Sequence, residues 1–154
     1  MSNQAPLAPP SADRLRMDAA ALNAFMLEAF PDAPRTGRGV VIEAEPGRVV
    51  TRMDDGARML RPGGVVSGPT MMGLADTTVY ALVLAHIGPV PMAVTTSLNI
   101  HFLRPAKAGP VTAEGRLLRL GRRIATAEVS IWTEGPDRIA AHAVVAYALP
   151  DGTT

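Results

Sequence analysis

One segment limits the folds open to this chain more than any other. From Pro69 to His86 it reads PTMMGLADTTVYALVLAH, with Met71, Met72, Leu74, Val79, Tyr80, Leu82, Val83 and Leu84 falling on every side of a helical wheel. A helix that is apolar all round is a buried helix. Over this span it would be roughly 27 Å long, enough to run through the centre of a small domain. The rest of the chain must therefore supply a sheath. Asp76 lies inside this segment, where burying a carboxylate is costly unless it is paired or hydrogen-bonded. It is either held by Thr77, Thr78 or a neighbouring strand, or it belongs to a site.

The sheath is legible as β structure. Residues 39–45 (GVVIEAE) and 48–54 (RVVTRMD) are β-branched runs joined by Pro46-Gly47, which predicts an antiparallel hairpin. Past the central helix, which Gly88-Pro89 closes, come VPMAVTTSLNIHFLR, VTAEGRLLRLG, IATAEVSIWTEG and RIAAHAVVAYAL. Turn signals separate them, so consecutive antiparallel pairing is expected. In the first of these, Val94, Thr96, Leu98, Ile100 and Phe102 alternate with Thr95, Ser97, Asn99 and His101, the period of a half-buried strand. Ahead of the hairpin, Asp18 caps a short amphipathic helix carrying Leu22, Phe25, Met26 and Phe30, and Pro31 ends it. One buried helix in a mostly antiparallel sheet is an α+β domain.

The chain has 154 residues, 47% of them hydrophobic and 19% charged, with a net charge of +1. That is a single globular domain with no nucleic-acid-binding tract. The Pro-rich opening, residues 1–16, is expected to be a flexible segment, leaving 17–154 as the domain. The absence of cysteine removes disulfides, thiolate catalysis and cysteine zinc sites, and is compatible with a reducing cytoplasm. Neither a signal peptide nor a bilayer-length apolar run is read, since the stretch from Val79 to Ile87 is too short. The expected location is cytoplasmic.

The start of the central helix adds the second half of a site. Its first N–H groups have no internal acceptors and the dipole there favours negative charge, while Gly68 lets a ligand approach the backbone. A carboxylate and an oxyanion donor on one helix are the parts that acyl transfer needs.

Four anchors in order carry a resemblance over about residues 39–149: Leu74-Ala75-Asp76; Thr95-Thr96-Ser97-Leu98-Asn99-Ile100; Phe102-Leu103-Arg104-Pro105-Ala106 with Gly109; and Gly121-Arg122-Arg123. With hairpin, loop, long helix and four strands, the chain resembles the hotdog fold and the PaaI-like acyl-CoA thioesterases. The resemblance implies a curled sheet around the central helix and hydrolysis of an acyl-CoA-type thioester. Asp76 would be base or nucleophile, and the Gly68 N–H the oxyanion donor. It also implies a site built at a dimer interface, where Thr95, or Thr96 as the alternative, offers a hydroxyl to the partner's carboxylate. Dimers, or dimers paired into tetramers, are expected, with no metal or bound cofactor. Two positions depart from the family pattern: Ser67-Gly68-Pro69 stands where His-Gly-Gly is usual, and Arg61 falls where Asn is common.

The remaining candidates are weaker. Arg61 suits a carboxylated acyl group or a phosphate, or an ion pair with Asp54 or Asp55. Ser67 and Pro69 flank the oxyanion position, and Met71 and Met72 suit an acyl channel. Arg104, Lys107, Arg119, Arg122 and Arg123 give the strand ends a basic bias that suits coenzyme A phosphates, or simply a solvated rim. His86, His101 and His142 show no metal-ligand spacing, and His86 suits a helix C-terminus as a cation. A dehydratase on the same fold would need a His near the helix start, and none is there. A non-catalytic acyl-CoA-binding protein is the rival reading.

Overall fold

The computed structural model describes residues 10–33, 38–54 and 56–151. The elements are α1 (Ala19–Ala29), β1 (Val40–Glu45), β2 (Arg48–Met53), a 3-10 turn (Gly56–Arg58), β3 (Leu60–Arg61), β4 (Val65–Val66), α2 (Gly68–Ile87), β5 (Val94–Phe102), β6 (Val111–Leu120), β7 (Ile124–Trp132) and β8 (Ala141–Ala148). Six strands form one antiparallel sheet in the order β1-β2-β6-β7-β8-β5. Its concave face wraps α2: Val49, Met53, Val111, Ala113, Ala127, Val129, Ile131, Ala143 and Val145 turn inward and are buried with Leu74, Val79, Leu82, Val83 and Leu84. This is the hotdog arrangement. By length and composition α2 could cross a bilayer, beyond what the Val79–Ile87 stretch alone suggests, yet 72% of its apolar 18-residue window is buried inside the protein. The all-round apolar pattern is answered by the sheet.

Local chemistry sets the element boundaries. The Asp18 side chain accepts from the Ala21 N–H at 2.8 Å and starts α1. Gly47, at φ 77°, turns the β1–β2 hairpin, and Gly88, at φ 93°, ends α2. β6 crosses α2 closely because residue 115 is glycine: a Cβ there would meet Thr78 at 3.0 Å and Leu82 at 3.4 Å. The buried hydroxyls inside this layer are all satisfied. Thr78 donates to the Leu74 carbonyl at 2.6 Å, and Thr51 meets Thr78 at 2.6 Å.

Three features differ from the sequence reading. β5 does not pair with β6, the next strand in the chain, but lies beside β8 at the sheet edge. The connecting residues 103–110 include Pro105, Pro110 and Gly109 at φ 141°, a segment that cannot close a tight hairpin and instead crosses over. The loop before α2 contains a small β3–β4 ladder, turned by Gly63 and Gly64 at positive φ. At the N-terminus the chain is already attached at Arg16, whose N–H donates to the Ala85 carbonyl at 2.7 Å, with Leu15 packed on the core. The first nine residues of the expected flexible segment lie outside the described residues.

Candidate active site

The start of α2 explains the unusual Ser67-Gly68-Pro69. Ser67 is the N-cap: its hydroxyl accepts from the Thr70 N–H at 3.4 Å and meets the Thr70 hydroxyl at 2.6 Å, while Pro69 occupies the first turn. Both are preferred residues for those positions. The Ser67 side chain is thus engaged in the cap rather than directed at a ligand. Gly68 has no intrahelical acceptor for its N–H, and the Phe102 ring lies over it, 3.2 Å from where a Cβ would be. Around this helix start is a cavity of about 760 Å³, lined by Arg61, Ser67, Gly68, Pro69, Phe102 and Arg104 among others.

Asp76 opens on a different cavity, of about 650 Å³, with Met26, Phe30, Tyr80, Val94, Thr95 and Tyr147 in its walls. The carboxylate is half-buried rather than sealed in the core. It does not bond Thr77 or Thr78. Its Oδ1 accepts from the Thr95 hydroxyl at 2.7 Å and from the Tyr147 hydroxyl at 2.6 Å, both on neighbouring strands. Among the described residues no donor reaches Oδ2. Burial, followed by the bond to Asp76, pushes the Tyr147 phenol well above its ordinary range, so it is a neutral donor. Its ring stands 6.0 Å from that of Tyr80, which stands 5.8 Å from Phe30, forming an aromatic wall.

Simple alternation puts Thr95 on the opposite face from Leu98 and Ile100. A bulge removes the conflict: Thr95 pairs with Tyr147 and Ser97 with Ala146, so Thr96 is the extra residue and Thr95 turns to the concave side. Thr95 meets Asp76 of its own chain, whereas the family resemblance implied a partner's carboxylate. Thr96 bonds the Ala146 carbonyl at 3.2 Å and does not reach Asp76. Tyr147 was missed in the sequence. The signal was present, since period 2 in AHAVVAYA places Tyr147 inward with Ala141, Ala143 and Val145, and a buried phenol needs a hydrogen-bond partner.

Other candidates are distributed more plainly. Arg61 is exposed beside the Gly68 cavity and forms no ion pair among the described residues; Asp54 pairs with Arg52 at 2.5 Å, and Asp55 lies outside those residues. Arg104 borders the same cavity, as does Met71, while Met72, Arg122 and Arg123 border neither cavity. Arg123 lies 3.4 Å from Asp151, and Lys107 bonds Glu134 at 2.7 Å. His86 is not a cation at a helix end. It is fully buried, with Nε2 accepting from the Gly47 N–H at 3.0 Å and Nδ1 facing the Leu82 carbonyl at 2.8 Å, which fixes a neutral tautomer that ties α2 to the β1–β2 turn. His142 contacts Glu128 on the convex face of the sheet.

Asp76 and Gly68 are eight residues apart on one helix, about 12 Å at 1.5 Å per residue. They cannot touch one reacting atom within a single chain. Within one chain the two candidate groups therefore open on separate cavities.

Residues 63–140 match the sequence pattern of the thioesterase superfamily. The chain belongs to that superfamily. A structure from Silicibacter sp. TM1040, named as a proposed thioesterase, is similar at 37% identity and TM-score 0.80, covering 91% of this chain and 96% of that one. A variant of the phenylacetic acid degradation protein PaaI from Thermus thermophilus is similar at 26% identity and TM-score 0.64, covering 81% of this chain and 98% of that one. A protein named as a proposed esterase from Saccharolobus solfataricus is 35% identical over 89 residues, 58% of this chain. That match spans 63% of the relative, under two thirds of its length. The resemblance to PaaI-like hotdog proteins is thereby borne out.

Proposed function

We propose that this protein hydrolyses an acyl-CoA-type thioester, with each site assembled from two copies of the chain. The observation that carries this reading is the one-sided binding of Asp76: two hydroxyls occupy Oδ1, and Oδ2 is left to work in a cavity walled by apolar and aromatic groups. Such an oxygen takes a proton from water as the water oxygen bonds to the thioester carbon, or attacks that carbon itself. The carbonyl oxygen becomes an oxyanion and the C–S bond then breaks. On the water route the thiol leaves with the proton that Asp76 took from water; on the direct route thiolate leaves and water then hydrolyses the acyl–Asp76 anhydride, freeing the acid and restoring the carboxylate.

The oxyanion needs a donor near the same carbon, and Gly68 of the same chain is too far away. β5 supplies the solution. Among the described residues its outer edge is unpaired, its Val94-Thr95 end lines the Asp76 cavity, and its Phe102 end lines the Gly68 cavity. Antiparallel pairing of β5 with its own copy lays one end beside the partner's other end, so each Asp76 cavity meets a partner's Gly68 cavity. Met92, Val94, Phe102 and Leu103, at the two ends of this edge, are exposed large apolar residues that such pairing would cover. Arg61 and Arg104 would then offer positive charge to an anionic part of the substrate. The location that goes with an acyl-CoA substrate is the cytoplasm.

The test is thiol release from a panel of acyl-CoAs by the wild type and by Asp76→Asn. The variant keeps its fold and loses activity about a hundredfold or more, the size expected for a lost general base or nucleophile. Full activity in a stable Asp76→Asn protein would falsify the role of Asp76. One observation favours a second reading: Ser67, at the position usually held by His, is engaged in the helix cap. A protein that only binds acyl-CoA would release no thiol from any panel member and would bind equally well after Asp76→Asn.

A further inference from the structure

The geometry points to Tyr147 as a positioning residue that, together with Thr95, fixes the Asp76 carboxylate so that Oδ2 is the oxygen presented to substrate. This inference deepens the thioesterase reading and rests on it for its kinetic consequence, but its geometric content stands by itself.

A carboxylate on a helix turns about a terminal bond with a broad, two-fold preference, so nothing intrinsic distinguishes its two oxygens. Here they are distinguished. Thr95 and Tyr147 both donate to Oδ1, at 2.7 and 2.6 Å, and the Tyr147 hydroxyl also lies 3.2 Å from the Asp76 backbone carbonyl. The tyrosine therefore touches the residue at two points and defines where its side chain sits relative to its backbone. Thr95 and Tyr147 are themselves a cross-strand pair on β5 and β8, delivered to the concave face together by the bulge at Thr96. Turning the carboxylate over would exchange the two oxygens between the donors and the cavity, and lesser rotations break two short hydrogen bonds at once.

The tyrosine is in turn held firmly. It is 2% exposed, at the inward end of β8, and its ring packs against Tyr80, whose hydroxyl reaches the Pro91 carbonyl at 3.3 Å. The Tyr80 and Phe30 rings continue the same wall into the cavity. A serine or asparagine at position 147 would be too short to reach the carboxylate from that backbone. The phenol supplies reach, rigidity and a single donor, which is what orienting one oxygen requires.

The experiment pairs two readouts on the full-length protein. The first is crystallographic and needs no substrate: in the wild type both hydroxyls lie on one carboxylate oxygen, and in Tyr147→Phe, which keeps the ring and its packing, the carboxylate rotates or splits between orientations. Donors divided between the two oxygens in the wild type, or an unmoved carboxylate in the variant, would overturn the inference. The second readout is kinetic. On the acyl-CoA turned over fastest by the wild type, Tyr147→Phe lowers kcat about tenfold or more, with KM within about twofold, because orientation acts on the reacting step rather than on binding. A lowered melting temperature with unchanged kcat, or a Tyr147→Phe chain that cannot fold, would make Tyr147 a purely structural residue and also overturn it. Should the wild type release no thiol from any substrate, the thioesterase reading fails and the crystallographic comparison still decides the role of Tyr147.

Discussion

The sheet has two edges, and they are treated in opposite ways. At β1 the edge is closed. The Asn23 side chain on α1 donates to the Val41 carbonyl at 2.8 Å and accepts from the Val41 N–H at 2.9 Å, occupying the place a neighbouring strand would take. Ile42 is a bulge, and Glu43 and Glu45 bring charge to the edge, gathered by Arg48 at 2.6 and 3.5 Å. Arg48 also reaches Glu114 at 2.7 Å, so the ion pairs run from β1 to β6. These are the devices by which native sheets avoid unwanted pairing. At β5 nearly all of them are missing. The strand has nine residues with no Asp, Glu, Lys or Arg among them, and among the described residues no strand pairs with its outer edge. Its single bulge, at Thr96, turns Thr95 toward Asp76. One edge is finished within the chain, and the other is left open among the described residues.

The strongest way to break this contrast is to disable the open edge. Ile100→Pro removes an N–H from β5 and disfavours pairing, so the protein runs as a monomer in light scattering and loses all measurable thiol release. Asn99→Lys is the gentler version: the side chain is exposed on the convex face, and pairing around a two-fold axis would set two such lysines near one another. Either variant remaining a fully active monomer would show that one chain carries a complete site.

Next in size is Arg61→Ala, which probes what β5 pairing would bring to the Asp76 cavity. A hydrogen bond to a charged group is worth roughly 1.5–3 kcal/mol, about tenfold to hundredfold in KM for carboxylated or phosphate-bearing substrates. Ser67→Ala has the smaller effect on turnover, since its hydroxyl serves the cap. If Arg61→Ala lowers stability while leaving binding and rate alone, Arg61 is structural.

The closed edge has its own test. Asn23→Ala leaves the Val41 N–H and carbonyl without their partner in a part-buried place, at a cost of about 1–3 kcal/mol in denaturant unfolding. Activity per folded molecule is unchanged, because Asn23 touches neither cavity. Aggregation of this variant through β1 would show how much the amide had been protecting.

How much of this was legible follows from what each feature depends on. The buried helix, the Asp18 cap, the Pro46-Gly47 hairpin and the later strands are local patterns, and they stand out in one dimension. Sheet order is not local. Whether β5 lies beside β6 or β8 depends on how residues 103–110 cross over, which alternation does not record. The facing of Thr95 depends on one extra residue at Thr96, and a bulge of that kind inverts the assignment of in and out on one side of it relative to the other. The Asp76–Gly68 separation was implicit in eight residues of helix, yet its consequence emerges only when the two cavities are seen to be distinct. Tyr147 was readable as an inward aromatic but not as a partner of Asp76, because the contact joins residues 71 positions apart.

The smallest expected effect concerns the tie between the open edge and the helix, and it is read by pH. Burial and then the bond to Asp76 raise the Tyr147 phenol above its ordinary value of 10.0, and burial raises Tyr80 in the same direction. A group whose proton is held more tightly in the folded chain contributes stability that is complete below the unfolded value. That contribution is lost as pH rises through the folded value. Below about pH 10 both states keep the phenolic proton; above it the unfolded chain releases it first, and folding becomes less favourable. Denaturant unfolding measured from about pH 8 to about pH 11 should therefore show stability declining at the alkaline end, with a shallower decline in Tyr147→Phe. Tyr80 remains in that variant, so the slope shrinks without vanishing. An identical slope in the two proteins would mean that the Tyr147 proton is held no more tightly in the folded state than in the unfolded one, and that the tie joining β8 to Asp76 beside the start of β5 is weaker than its 2.6 Å geometry implies.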